Sequence, residues 1–156
     1  MRHLNTYQQQ ILNKKLFEYS SKMSALQQMR ELISKGADVN YQNKSGKTPL
    51  MEATRKQFYS GVKLLIDKHA NVNTADENGY TALTIIIAMS ISYNFNKYVN
   101  FKKIIDLLIE SGAKLDVKSE ILDNINYTHI VDYISDKYPE QYEEYLLKKT
   151  SEKYNI

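Results

Sequence analysis

His129 and Asp132 stand three residues apart, a spacing at which an imidazole and a carboxylate on one helix face could pass a proton. Glu143 and Glu144 offer a pair of carboxylates. Little else in the chain could do chemistry. Cysteine is absent, which excludes disulfides, thiol nucleophiles and thiolate zinc sites. Three histidines, His3, His69 and His129, are too few for an imidazole-built metal site. No Gly-rich phosphate loop, H-E-x-x-H or G-x-S-x-G occurs. The expectation is a chain without catalytic residues, metal or cofactor.

Whatever holds these residues must be a folded unit. At 156 residues the chain suits one domain with a core that needs no staples. Its 42% hydrophobic and 25% charged residues are those of a globular protein. The start, Met1 to Tyr7, lacks the apolar stretch of a secretory signal. The longest apolar run, Ile85 to Met89, is far short of the ~20 residues a spanning helix needs. These features predict a cytoplasmic protein without membrane contact, although export routes that leave no such signal stay open. Net charge is +3, too mild to announce nucleic acid, but it is unevenly placed. Residues 1–75 carry 12 Lys/Arg against 5 Asp/Glu, and residues 76–156 carry 9 against 13. Such a bipolar distribution orients encounters with partners.

The chain repeats itself. Asn43-Lys44-Ser45-Gly46-Lys47-Thr48-Pro49-Leu50 returns as Asp76-Glu77-Asn78-Gly79-Tyr80-Thr81-Ala82-Leu83, offset by 33 residues. Leu32-Ile33-Ser34-Lys35-Gly36-Ala37-Asp38-Val39-Asn40 returns as Leu65 to Asn73 at the same offset, and again as Leu108 to Asp116. Thr48 and Thr81 suit helix caps, and Pro49 suits a first helical position. Leu50 and Ala53 then face inward, while Val62, Leu65 and Ile66 form the apolar stripe of a second helix. Gly36 and Gly112 fall where a left-handed residue ends that helix, a slot occupied by His69 in the middle copy. Gly46 and Gly79 let a projecting hairpin turn tightly. In this register His129 aligns with Pro49 at a helix start, which argues against the acid–base pair, and Glu143-Glu144 reads as a solvated face.

Two phrases held in one register resemble the ankyrin repeat, over roughly residues 10 to 135. The resemblance implies an all-α, ankyrin-type α-solenoid of stacked helix-turn-helix repeats with short hairpin loops and divergent caps. One domain over 1–156 would hold repeats at about 4–39, 40–72 and 73–115 and a degenerate C-terminal cap over 116–156. The third repeat carries ten extra residues near 91–100, which should lengthen both helices or project as a loop. Tyr93, Phe95, Tyr98 and Phe101 either pack back on the stack or meet a partner. In the fourth copy Asn126 stands for glycine, a helix should run from about Thr128 to Lys137, and Pro139 opens a last helix. Tyr138, Tyr142, Tyr145 and Leu146 should cover the end of the stack.

The resemblance further implies a non-catalytic module that binds another protein through hairpin tips and the exposed face of the first helices. Carried onto this sequence, the binding positions include Lys44, Lys47, Arg55 and Lys56 in the second repeat. The third contributes Glu77, Asn78, Tyr80 and Met89, with Tyr93 and Phe95 from the insertion, and the fourth Tyr127. The lysines, extended by Lys14 and Lys22, predict an acidic patch on the partner. Tyr80 and Tyr127 predict aromatic anchoring. A blocker or neutralising partner of a toxin or enzyme is favoured, since an adaptor needs a second module. A secreted effector or adaptor recruiting a host or cellular protein is the alternative, and a nucleic-acid-associated protein the remote one. No small-molecule substrate is expected, and the stack should be monomeric.

Overall fold

The computed structural model describes the backbone of residues 6–92, 99–115 and 128–154, and side chains over 6–89, 100–115 and 130–151. Among the described residues there are eight helices and no strand. They are α1 (Thr6–Ser20), α2 (Leu26–Ser34), α3 (Pro49–Arg55), α4 (Tyr59–Asp67), α5 (Ala82–Ser92), α6 (Val99–Glu110), α7 (Thr128–Lys137) and α8 (Pro139–Tyr154). Consecutive helices pack as pairs. The first helices form a row, α1 on α3 on α5 on α7, and behind them α2 packs on α4 and α4 on α6. This is the stacked α-solenoid that the 33-residue period predicts.

Local chemistry starts and stops each element. Thr48 Oγ1 accepts the Met51 N–H at 3.2 Å, and Pro49 opens α3 without a donor to satisfy. Thr81 caps α5 reciprocally: its Oγ1 accepts the Thr84 N–H at 3.3 Å, and Thr84 Oγ1 accepts the Thr81 N–H at 2.8 Å. Helices α2, α4 and α6 end alike. Gly36, His69 and Gly112 take φ of 94°, 63° and 86°, and the next N–H (Ala37, Ala70, Ala113) reaches back to Leu32, Leu65 and Leu108 at 2.9 Å. Gln57 closes α3 the same way at φ 54°, a left-handed residue that its sequence does not announce. Leu16, Met29, Leu50, Leu65, Ile86 and Leu108 are fully buried along the stack.

The insertion is partly resolved in favour of longer helices. α5 has 11 residues where α3 has 7, and α6 has 12 where α4 has 9. Phe101 is fully buried in α6, so this member of the aromatic group packs on the stack; Tyr93, Phe95 and Tyr98 lie outside the described residues. At the other end, α7 and α8 occupy the ranges expected of them. The expected seam of α8 is present: Tyr138 is buried, Tyr142 packs on the core, and Tyr145 and Leu146 line an apolar hollow with Ile87, Ile130 and Ile134, Leu146 staying 42% exposed. Leu146 follows Tyr142 by four residues and so flanks the same side of the helix.

Repeats are also tied by polar rungs that periodicity of apolar residues cannot reveal. Asn40 donates to His69 O (3.4 Å) and accepts from Asn71 N–H (2.7 Å). Asn73, its equivalent, donates to Gly112 O (2.9 Å) and accepts from Lys114 N–H (2.8 Å). In the first unit no described residue before α1 supplies such an asparagine. Two residues of α1 replace it: Gln9 donates to Gly36 O at 2.7 Å, and Asn13 accepts from Asp38 N–H at 2.8 Å. Gln9 and Asn13 are themselves joined at 3.0 Å.

Asn73→Ala should cost about 1–2 kcal/mol in a chemical melt, from two lost hydrogen bonds. Thr54 lies fully buried in α3, and its hydroxyl has no partner among the described residues. Thr54→Val should therefore be neutral or stabilising by about 1 kcal/mol; a loss of that size would show a missed partner.

Candidate partner-binding surface

The hairpin tips are rigid. Asn43 Oδ1 accepts the Ser45 and Lys47 N–H groups at 2.9 and 3.0 Å, and Asp76 Oδ1 accepts those of Asn78 and Tyr80 at 2.9 and 3.0 Å. Successive tips stack: Glu77 N–H donates to Ser45 O at 3.2 Å, and Gln42 Nε2 reaches Ala75 O at 3.4 Å. Gly46 is required there twice over. Its φ is +72°, and an added Cβ would come within 3.0 Å of Glu77 N. Side chains on such turns are presented without much ordering left to do.

On this frame Lys44 is exposed and Lys47 half-buried. Arg55 and Lys56, both exposed, lie at the far end of α3, about 10 Å along the helix from the turn. Arg55 is not a free cation. Its Nη2 sits 2.7 Å from Glu52 Oε2, and Glu52 is buried. Glu77 and Asn78 are exposed on the next tip, so the cationic strip is bordered by an acid. Tyr80 is half-buried, and Met89 is half-buried and packed against the core. α5 is apolar on nearly every face because α3, α6 and α7 surround it. Lys14 and Lys22 are exposed, with the Lys22 ammonium 5.1 Å from the Tyr19 ring centre. Tyr127 and the side chain of His129 lie outside the described residues. Among the described residues no three His, Asp or Glu side chains could hold a metal, and no helix is long and apolar enough to cross a membrane.

One polar cluster went unforeseen. Asp106 of α6 takes hydrogen bonds from Tyr133 (2.6 Å) and Tyr138 (2.8 Å) and pairs with Lys137 (2.6 Å). Burial opposes its charge, but the bonds from Lys137, Tyr133 and Tyr138 outweigh burial and hold the carboxyl below the usual range. Burial, then Asp106, pushes Tyr133 and Tyr138 up, and the hydrogen bond to Asp106 raises Lys137. A single aspartate in an otherwise amphipathic helix gives no hint of partners 27 and 32 residues away. The lowered Asp106 contributes stability above pH ~4 that is lost as pH falls through its folded value; the raised Tyr and Lys groups contribute stability below pH ~10 that is lost above. Asp106→Asn should thus destabilise the chain by about 1–2 kcal/mol at neutral pH, and the gap should be narrower at pH ~3. Thermal melts at both pH values check this.

Comparison with known proteins agrees with this geometry. The family model described as ankyrin repeats (3 copies) matches residues 17–119. An ankyrin repeat protein of Acanthamoeba polyphaga mimivirus is 38% identical over 122 residues, covering 71% of this chain and 69% of the relative. A longer ankyrin repeat protein of the same virus is 34% identical over 95 residues, 56% of this chain and 16% of that protein. Ankyrin repeat domain-containing protein OPG023 of monkeypox virus is 36% identical over 112 residues, 66% of this chain and 16% of its own length. The chain therefore spans about a sixth of the longer relatives it matches. Repeats of this kind are generally protein–protein interaction modules and typically non-catalytic. By its repeat period, its stacked helix pairs and these matches, the chain belongs to the ankyrin-repeat family.

Proposed function

We propose that the chain is a non-catalytic binding module that occludes a partner protein, and that the second repeat carries most of the recognition. The supporting observation is the exposure of Lys44 and Lys56 at opposite ends of one rigid unit, with Arg55 beside them. Such a strip suits an acidic patch, where complementary charge speeds encounter and rejects wrong partners. Tyr80, half-buried at the neighbouring tip, adds rigid contact area.

The test avoids Arg55, whose reversal would strand the buried Glu52 charge. The tagged chain and a Lys44→Glu, Lys47→Glu, Lys56→Glu variant are compared as baits in a lysate of the native cell. A protein held by the wild type at low salt should be lost to the variant and to high salt, with an unchanged melt. Equal capture by both would discard the acidic-patch reading.

A further inference from the structure

Terminal units of a stacked-repeat protein ordinarily turn a polar face outward, since nothing packs there. Here the outermost described helices, α1 and α8, set apolar side chains among the polar ones of that face. Every large hydrophobic side chain exposed among the described residues lies in the two end units: Tyr7 (71%), Ile11 (36%) and Met23 (61%) in the first, Leu146 (42%) and Leu147 (72%) in the last. The described residues of the middle units expose none.

The two ends also differ in charge. By helical phase, Leu147 sits opposite the Tyr138–Tyr142–Tyr145 seam and shares its outward face with exposed Glu140, Glu143 and Glu144. Lys148 and Lys149 fall outside that face. On α1, Ile11 shares the face opposite Leu16 with exposed Tyr7, Lys14, Lys15 and Glu18. Beside it opens a shallow apolar hollow lined by Gln8, Ile11, Leu12 and Lys35. One end is an apolar knob bordered by carboxylates; the other is an apolar hollow bordered by three ammonium groups, those of Lys14, Lys15 and Lys35, and by one carboxylate, that of Glu18.

We propose that these faces fit each other in a second copy of this chain, Leu147 of one copy seating against Ile11 and Leu12 of the next, with Glu143 and Glu144 facing Lys14, Lys15 and Lys35. Pairing like ends would set cation against cation or acid against acid, so charge selects the head-to-tail arrangement. A contact between two different faces does not close on itself and grows end to end. With one or two apolar anchors per joint, the association is weak, concentration-dependent and salt-sensitive.

Sedimentation of the purified chain alone separates this from the partner reading, whose test alters Lys44, Lys47 and Lys56 instead. The weight-average mass should climb with concentration at low salt, without levelling at a dimer, and fall as salt is added. Leu147→Glu and Ile11→Glu should each stay monomeric with wild-type melts, both sites being exposed. Mixed in equal amounts, they should stop at a dimer, because only one intact knob and one intact hollow meet. Should either variant fold poorly, Lys14→Glu/Lys15→Glu mixed with Glu143→Lys/Glu144→Lys provides the same measurement by charge exchange, and should associate. A wild type monomeric at every concentration overturns the proposal and leaves the end faces to a different protein. A mass that levels at two, or mixtures that stay monomeric, overturns it equally.

Discussion

A helix of seven residues cannot hold itself together in water, because its few hydrogen bonds do not repay nucleation. α3 has that length, and α2 and α4 have nine residues each. They exist because each is covered by the other helix of its pair and by a neighbouring pair. Everything that follows in this fold comes from that dependence. The apolar stripes must keep one register, so the helices recur at a fixed period. The connecting backbone, left at the edge, must find its own partners. Asn40 and Asn73 supply them between units, and Asn43 and Asp76 supply them within the turns. The result is a surface of backbone-braced tips, stiff enough to present lysine and tyrosine side chains in fixed places.

Much of this was legible in the residues. Thr48-Pro49, the Leu-Ile stripes and the glycine slot at 36 and 112 carry local chemistry that works the same wherever it occurs, so spacing alone placed the helices and their ends. His69 in a left-handed slot could be read because its neighbours in the other copies are glycines. Gln57 had no such parallel and was missed. Leu146, four residues after Tyr142, could be placed by helical phase, whereas the residues it meets, Ile87, Ile130 and Ile134, come from other helices and could not. The Asp106 cluster is the hardest case, since its partners come from another repeat and no local rule links them.

The candidate surface was legible only as positions. That Lys44 and Lys56 stand exposed follows from the repeat register, whereas the Glu52–Arg55 pair and the packing of Met89 depend on what surrounds α3 and α5. The surroundings change the chemistry of the strip: one of its four cations already answers a buried carboxylate, and Glu77 closes its border.

The longer helices of the third unit have a consequence for how the molecule comes apart. In a one-dimensional array, cohesion is greatest where an element shares the most area with neighbours on both sides. α5 and α6, with Ile86, Ile87, Phe101, Ile104, Ile105 and Leu108 fully covered, form that place. The array thus has its keystone inside and its weaker members at the rims. Opening should begin at α1–α2 or α7–α8 and work inward, and the second unit, flanked by the keystone, would keep its shape after a rim has frayed.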